Sequence, residues 1–257
     1  MVFGFNRVDH KVFKQNFLRK VLFQVNFKKI DLKDSEEKIK QALGEKFPRI
    51  TNREGSGIQI SFDNNQPKFK SVTDNNGLLL KNITGKVVLE LSDDSLVLSF
   101  DSNDDYVSFD NAKRYLLDVI DFLKTNFDIE EINNYSCRKI NIIEFQNDAN
   151  PNSIVYFLLN NSLVGNIDCF PNMEKINHNL QAVNFSNDEY FLNLKYGMNI
   201  PPNVNSKLGQ VIIDIDLIRK VKFDVSEFTQ IADSINSEMF NVFNWIASDN
   251  LKNILNG

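Results

Sequence analysis

The residues that could do chemistry in this chain are few, and their spacing limits what that chemistry could be. Two cysteines, Cys137 and Cys169, and two histidines, His10 and His178, supply all the thiols and imidazoles. A cysteine nucleophile needs a base within reach and a third group to orient that base. Cys137 lies instead in a predicted strand among apolar neighbours, where an inert buried thiol is the usual case. The same four residues lack the paired ligand spacing of a zinc site. Asp214 and Asp216 stand two apart in a predicted strand, so they share a face and could hold a divalent cation with a third acid. A solvent-facing row opposite Val211, Ile213 and Ile215 is the favoured account of them. Asp101, Asp104 and Asp105 do not follow the spacing of a calcium-binding loop. Gly55-Ser56-Gly57 lacks the lysine and the following helix of a phosphate loop. Neither G-x-G-x-x-G nor G-x-S-x-G occurs. No catalytic residue, metal or cofactor is therefore expected.

Arg138 is the charged side chain that most needs a partner. The register of its strand puts Ile140 and Ile142 on its own face, so the guanidinium points toward apolar company. A planar guanidinium there should find a carboxylate or a phosphate. An internal ion pair with an acid such as Glu144 is the simpler outcome. The charge of the chain is also uneven. Residues 1–33 carry Arg7, Lys11, Lys14, Arg19, Lys20, Lys28, Lys29 and Lys33 against Asp9 and Asp31, whereas acids dominate residues 90–131. The net charge of −5 and pI near 5.2 argue against a general nucleic-acid binder. The basic N-terminal region together with Arg138 keeps nucleic acid or a nucleotide as the alternative ligand.

The elements that must position these residues begin with Asn16 to Phe27, where Val21, Phe23, Val25 and Phe27 make one apolar face. A similar stretch returns at Ser136 to Phe145. Helix one is expected from Asp34, with Glu37 reaching back to the cap, a stripe of Ile39, Ala42, Leu43 and Phe47, and Pro48 as the stop. Short strands follow around Ile58 to Phe62, continuing through Phe69 and Val72. The clearest hairpin is Lys86 to Phe100, turning at Ser92 to Ser95. A second helix capped by Asp110 carries Ala112, Tyr115, Leu116, Val119, Ile120 and Leu123. After the Ser136 strand, Asn150-Pro151 reads as cap and first residue of a short helix with Ile154, Phe157 and Leu158 on one side. Residues 162–179 read as loop. A second hairpin spans Leu180 to Tyr196, a loop runs Gly197 to Ser206, and a strand carries Val211 to Leu217. Arg219 to Phe223 could form a last strand. The final helix, capped near Asp224 and Ser226, runs on toward Leu255. Asparagine is abundant, with 36 in the chain, and pairs such as Asn64-Asn65, Asn75-Asn76 and Asn133-Asn134 fall where turns are expected.

The order strand, helix, several strands, helix thus occurs twice. The expected fold is α+β: one globular domain of two similar β-α-β-β-β-α units, about 16–132 and 133–257, with mainly antiparallel sheets and helices covering one face. At 257 residues such a chain can bury a sizeable core without disulfides or metal. Its 22 phenylalanines bring apolar area with no polar handle, so most should be core. Arg7, Asp9, Lys11 and Lys14 interrupt any N-terminal signal segment and no run of 18 apolar residues occurs, so a reduced, cytoplasmic setting without a membrane span is expected. The last helix carries more apolar residues than one stripe can hold. Trp245, the single tryptophan, lies about 200° round the helix from Phe243 at ~100° per residue. Part of that helix should be covered by the other unit, by the N-terminal segment, or by another chain.

NFLRKVLFQVNF followed by EKIKQALGEKFP resembles the opening of a sporadically distributed bacterial family of uncharacterised proteins of about this length. Tyr106-Val107-Ser108-Phe109 resembles its Y-x-S-F step. Arg138-Lys139-Ile140-Asn141 resembles its R-Y-I-N strand, with Lys139 replacing the aromatic. The segment Ile212 to Ile215 and the long C-terminal helix are similar as well. The resemblance carries no established activity, and its patchy distribution implies accessory genes of mobile elements or defence loci. The expected role is that of a non-enzymatic interaction protein that binds a protein partner or forms a homodimer. Arg138, Asn141, Arg19, Lys20 and Trp245 are its candidate contact residues, and an enzyme of unknown type is the third reading.

Overall fold

Hydrophobic alternation at period two dominates the chain, and it folds into one large antiparallel sheet. A computed structural model describes residues 2–8, 13–33, 35–52, 55–63, 66–74, 77–102, 108–146, 151–164, 176–200 and 208–257, with 55–63 and 66–74 described by backbone pairing alone. The elements are β1 (Leu18–Phe27), α1 (Glu36–Leu43), β2 (Arg49–Asn52), β3 (Gly55–Asp63), β4 (Gln66–Asp74), β5 (Gly77–Lys81), β6 (Val87–Ser92), β7 (Ser95–Asp101), α2 (Phe109–Phe127), β8 (Glu131–Gln146), α3 (Pro151–Leu158), β9 (His178–Ser186), β10 (Tyr190–Asn199), β11 (Leu208–Arg219), β12 (Phe223–Asp224), α4 (Phe228–Ile246) and α5 (Asp249–Asn256). Ten strands form the sheet, in the order β2-β5-β6-β7-β1-β8-β11-β10-β9, with β12 added beside β8. Every pair in it is antiparallel. The fold is therefore mixed α and β, with antiparallel strands as expected.

The helices pack on one face. Phe23, in the middle of β1, meets Phe109 of α2 at 6.1 Å between ring centroids, and Tyr135 of β8 meets Phe228 of α4 at 5.0 Å. Tyr115 of α2 in turn meets Phe47, just past α1, and Phe100 of β7. Beyond α3, the Leu163 carbonyl accepts from the hydroxyl of Tyr196, whose strand partner is the buried Ile213. Val21, Phe23, Val25 and Phe27 are buried on this face, as are Val211, Ile213, Ile215 and Leu217.

Several boundaries differ from the sequence reading. Asp34, expected to cap α1, lies outside the described residues; Ser35 occupies the cap with no side-chain bond to a helix amide, and Ala42 is exposed while Ile39, Leu43 and Phe47 are buried. Ser108, not Asp110, caps α2, its hydroxyl accepting from the Asn111 amide at 3.2 Å. In α3 the buried residues are Val155 and Leu158, and Phe157 is 48 % exposed. The strands β3 and β4 pair with each other as a separate two-stranded sheet, while β2 and β5 carry the main sheet outward. The Asn64-Asn65, Asn75-Asn76 and Pro201-Pro202 turns lie outside the described residues, as does most of the 162–179 loop.

Two differences have clear physical reasons. Asn133 and Asn134 lie inside β8, at a register shift where Phe27 pairs with Ile132 and Asn26 with Asn134. The extra residue lets Ile132 and Tyr135, three apart, both point into the core. The long C-terminal helix is two helices, because Ala247 takes an extended conformation and the hydroxyl of Ser248 caps α5 by accepting from the Leu251 amide at 3.1 Å. Ala247 there bridges Leu159, just past α3.

The surplus apolar surface of α4 is covered from within the chain. Phe5 meets Trp245 at 5.0 Å, and Phe185 of β9 meets Trp245 at 6.3 Å. The N-terminal segment is held there by polar groups that α4 buries: the Phe3 amide donates to the Glu238 carboxylate and the Val8 amide to the Asn241 carbonyl, both at 3.1 Å. Glu238 is 3 % exposed. Replacing Phe5 with alanine should thus cost about 3 kcal/mol, in the usual range for a buried phenylalanine. It should also red-shift the emission of Trp245, the sole tryptophan, under native conditions. Urea melts and fluorescence spectra of the variant check both.

Candidate functional site

Neighbouring residues of a strand point to opposite faces, so β8 sends its two central cations to different places. Arg138 faces away from the helices and Lys139 faces into them. Each anchors a polar cluster in otherwise apolar surroundings.

On the helix-free face, Arg138 forms a two-pronged pair with Asp214 of β11. Its Nε donates to Asp214 Oδ1 at 2.8 Å and its Nη2 to Asp214 Oδ2 at 2.6 Å. The strand partner of Arg138 is Asp216, while Asp214 sits opposite Ile140, so the pair runs along the diagonal of the ladder. Asp214 is 8 % exposed. These two acids do share a face, but they are not the solvent-facing row expected of them, and the partner of Arg138 is Asp214 rather than Glu144. The hydrogen bonds from Arg138 to Asp214 push the guanidinium pKa up. Asp216 fares differently, because Arg138 is already committed. Its Oδ1 is buried without a hydrogen-bond partner, and burial first, then the charge of Asp214, pushes its pKa from 3.8 up to about 6 against the pull of Arg138 and Lys195.

On the helix side, Lys139 reaches the Asn236 carbonyl of α4 and lies over the Phe109 ring, 5.4 Å from its centroid. Burial pushes its pKa down. It lines a cavity of about 270 Å³ with Asn141 and Asn236 as further polar groups and Phe17, Leu18, Phe109, Ile215, Met239 and Phe243 among the apolar ones. A bulge in β1 completes this wall. Leu18 pairs with Asn141 and Lys20 with Ile140, so Arg19 is the extra residue. Strict alternation would place Leu18 with Lys20 on the other face; the bulge turns it back toward Asn141.

The sequence candidates are thus dispersed. Lys20 lies on the helix-free face, 3.5 Å from Asp101, and Arg19 sits at the bulge. Asn141 lines the helix-side cavity, and Trp245 is packed by Phe5 and Phe185. Cys137 is buried, with burial pushing its thiol up to about 12. His178 stands three strands away near the far end of β9 and pairs with Asn199. Cys169 and His10 lie outside the described residues, as do Lys11, Asp104 and Asp105. No group of three metal-ligating side chains forms among the described residues. Lys139 was missed as a site residue; a lysine between Arg138 and Ile140 in an alternating strand was the signal, since it had to face the core. The chain matches no protein-family model and no curated protein.

The Asp216 carboxyl gives a pH dependence with a definite sign. Because its pKa is raised on folding, the folded protein holds a proton that the unfolded chain has lost between about pH 4 and pH 6. Stability from this group is present below that window and lost as pH rises through it. Asp216→Asn should raise the melting temperature by roughly 3 °C at pH 7.5, about 1 kcal/mol after allowance for solvent screening, and by nothing measurable near pH 4. Thermal melts of both proteins across pH 4–8 test it.

Proposed function

We propose that the protein is a non-enzymatic binding protein and that the helix-free face of its sheet docks a partner protein. The observation that carries this reading is the composition of that face around Arg138. Leu22, Ile140, Ile142, Ile212, Ile218 and Phe191 are half-buried there, and among the described residues none of them packs against the buried core. Arg138 stands among them, already fixed by its bidentate bond to Asp214. Apolar side chains around a preoriented arginine are the make-up of a protein interface centre. The buried, protonated thiol of Cys137 also argues against a nucleophilic role for the chain's described cysteine.

The nucleic-acid or nucleotide alternative is less well supported by the same geometry. Two cations of this face are neutralised where they stand, Arg138 by Asp214 and Lys20 by Asp101. The basic N-terminal region is also divided. Its residues 2–8 and 13–15 lie along α4 and α5, as the bonds from Phe3, Val8 and Gln15 show, whereas Arg138 faces the other way. We further read the chain as two similar β-α-β-β-β-α halves that meet where β1 pairs with β8, which would make the binding face continuous across both. Work at an accessory or defence-related locus, in the cytoplasm, rests on the family resemblance and the composition.

Photo-cross-linking residues placed at Ser99 and Ser136, in the middle of this face, should give one discrete protein adduct in the native host. The same residue at Lys38, exposed on α1, should not. Adducts from all three positions alike, or an adduct removed by nuclease, would refute the docking face. An adduct at twice the chain's own mass would identify a second copy as the partner.

A further inference from the structure

We propose that the cavity between β1, β8 and α4 is a binding site for a small apolar carboxylic acid, its chain among the phenylalanines and its carboxylate on Lys139. This goes beyond the docking face and does not rest on it, since the two lie on opposite sides of the sheet.

The head-group end is defined by Lys139. Its ammonium has three donors, and its contacts are the neutral Asn236 amide and the Phe109 ring. No carboxylate of the described residues lies within 4 Å of it, although Lys46, Lys113 and Arg138 each have one. A half-buried cation with neutral partners opens onto an apolar space, and one negative charge is what that arrangement lacks. The cavity is also lined by Lys14, Gln15 and Asn16, and it is the phenylalanines beside them that favour an acid with an apolar tail over a free phosphate. Asn141 stands two residues along the same face of β8, roughly 7 Å from Lys139 at the rise of a strand. Its Nδ2 makes a long 3.4 Å contact to the Ile213 carbonyl, so it can turn to a second carboxylate oxygen at little cost.

The tail end is defined by the walls. Phe17, Leu18, Phe109, Met239 and Phe243 come from β1, the segment before it, α2 and α4, and methionine adapts to irregular shapes. The volume of about 270 Å³ holds about nine groups of roughly 30 Å³, the share of one water in the liquid. A saturated acid of eight to ten carbons is therefore the expected size class. The bulge at Arg19 turns Leu18 inward beside Asn141, which closes the wall at the head-group end.

The probe is nonanoate, measured by calorimetry on the full chain against nonan-1-ol, which has the same tail without the charge. Nonanoate should bind one to one and at least tenfold more tightly than nonanol. Lys139→Met, which keeps the length of the side chain, should lose that tenfold preference while still binding nonanol. Leu18→Trp, at the wall, should block both by filling the space, with an unchanged melting temperature as the check on folding. Equal affinity for the acid and the alcohol, a preference that survives Lys139→Met, multiple non-saturating binding, or no binding of nonanoate would each overturn the proposal. If Lys139→Met does not fold, Leu18→Trp alone decides: retained nonanoate binding refutes the site.

Discussion

The antiparallel pairing of β1 with β8 is the contact on which the rest of the molecule depends. It lies at the middle of the sheet and joins residues far apart in the chain, Phe23 opposite Cys137 and Val25 opposite Tyr135. A slip of one residue would turn Phe23, Val25 and Tyr135 out to the other face and bring Arg138 into the core. The cost of that exchange fixes the register more firmly than any single bond in the ladder, because it sums several large apolar side chains and one charge. Bulges flank the pair at Arg19 and near Asn133, and both serve the same end. They allow residues at odd spacing, Leu18 with Val21 and Ile132 with Tyr135, to share the helix side.

What could be read from the sequence followed from this alternation. The strand around Phe23, the hairpin of Leu89 and Leu98, the second hairpin and the Val211 strand all have strict period two, and each forms close to the expected place. Where the period breaks, the structure departs from what local pattern predicts. Asn133 and Asn134 look like a turn because asparagine favours turns, but tertiary pairing on both sides of β8 holds them in a bulged strand. The short β2 and β5 have too few residues for a period to show. Ser248 could have been seen as a cap, since a hydroxyl three residues before Leu251 inside a long apolar stripe is a start signal in its own right. It was hidden because the stripe of α4 runs in phase into that of α5.

The ion pair of Arg138 shows a second kind of limit. Its need for a carboxylate was legible from Ile140 and Ile142 on the same face. Which carboxylate was not, because the choice among acids is made by the β8–β11 register, and no local pattern encodes a pairing across 76 residues. The same register explains why Asp214 and Asp216 differ so much. Both flank one guanidinium, but its fork can meet only one carboxylate with two parallel bonds. Asp214 receives that geometry and Asp216 is left with an unbonded oxygen and a raised pKa.

Arg138 and Lys139 therefore show how one dipeptide serves two surfaces. Arginine stays charged under all ordinary conditions and matches a carboxylate in shape, so it suits the face where an acid of the protein is fixed beside it. Lysine carries a compact charge on a flexible stem, so it can bend to the Asn236 amide and lie over the Phe109 ring. Exchanging the two would leave both sites worse: an arginine under α4 would bring a forked head of five donors to a single amide oxygen, and a lysine beside Asp214 would lose one of the two bonds that hold it. Period-two geometry forces adjacent residues of β8 into unlike environments, and the difference in chemistry between two cations is what lets both environments be occupied.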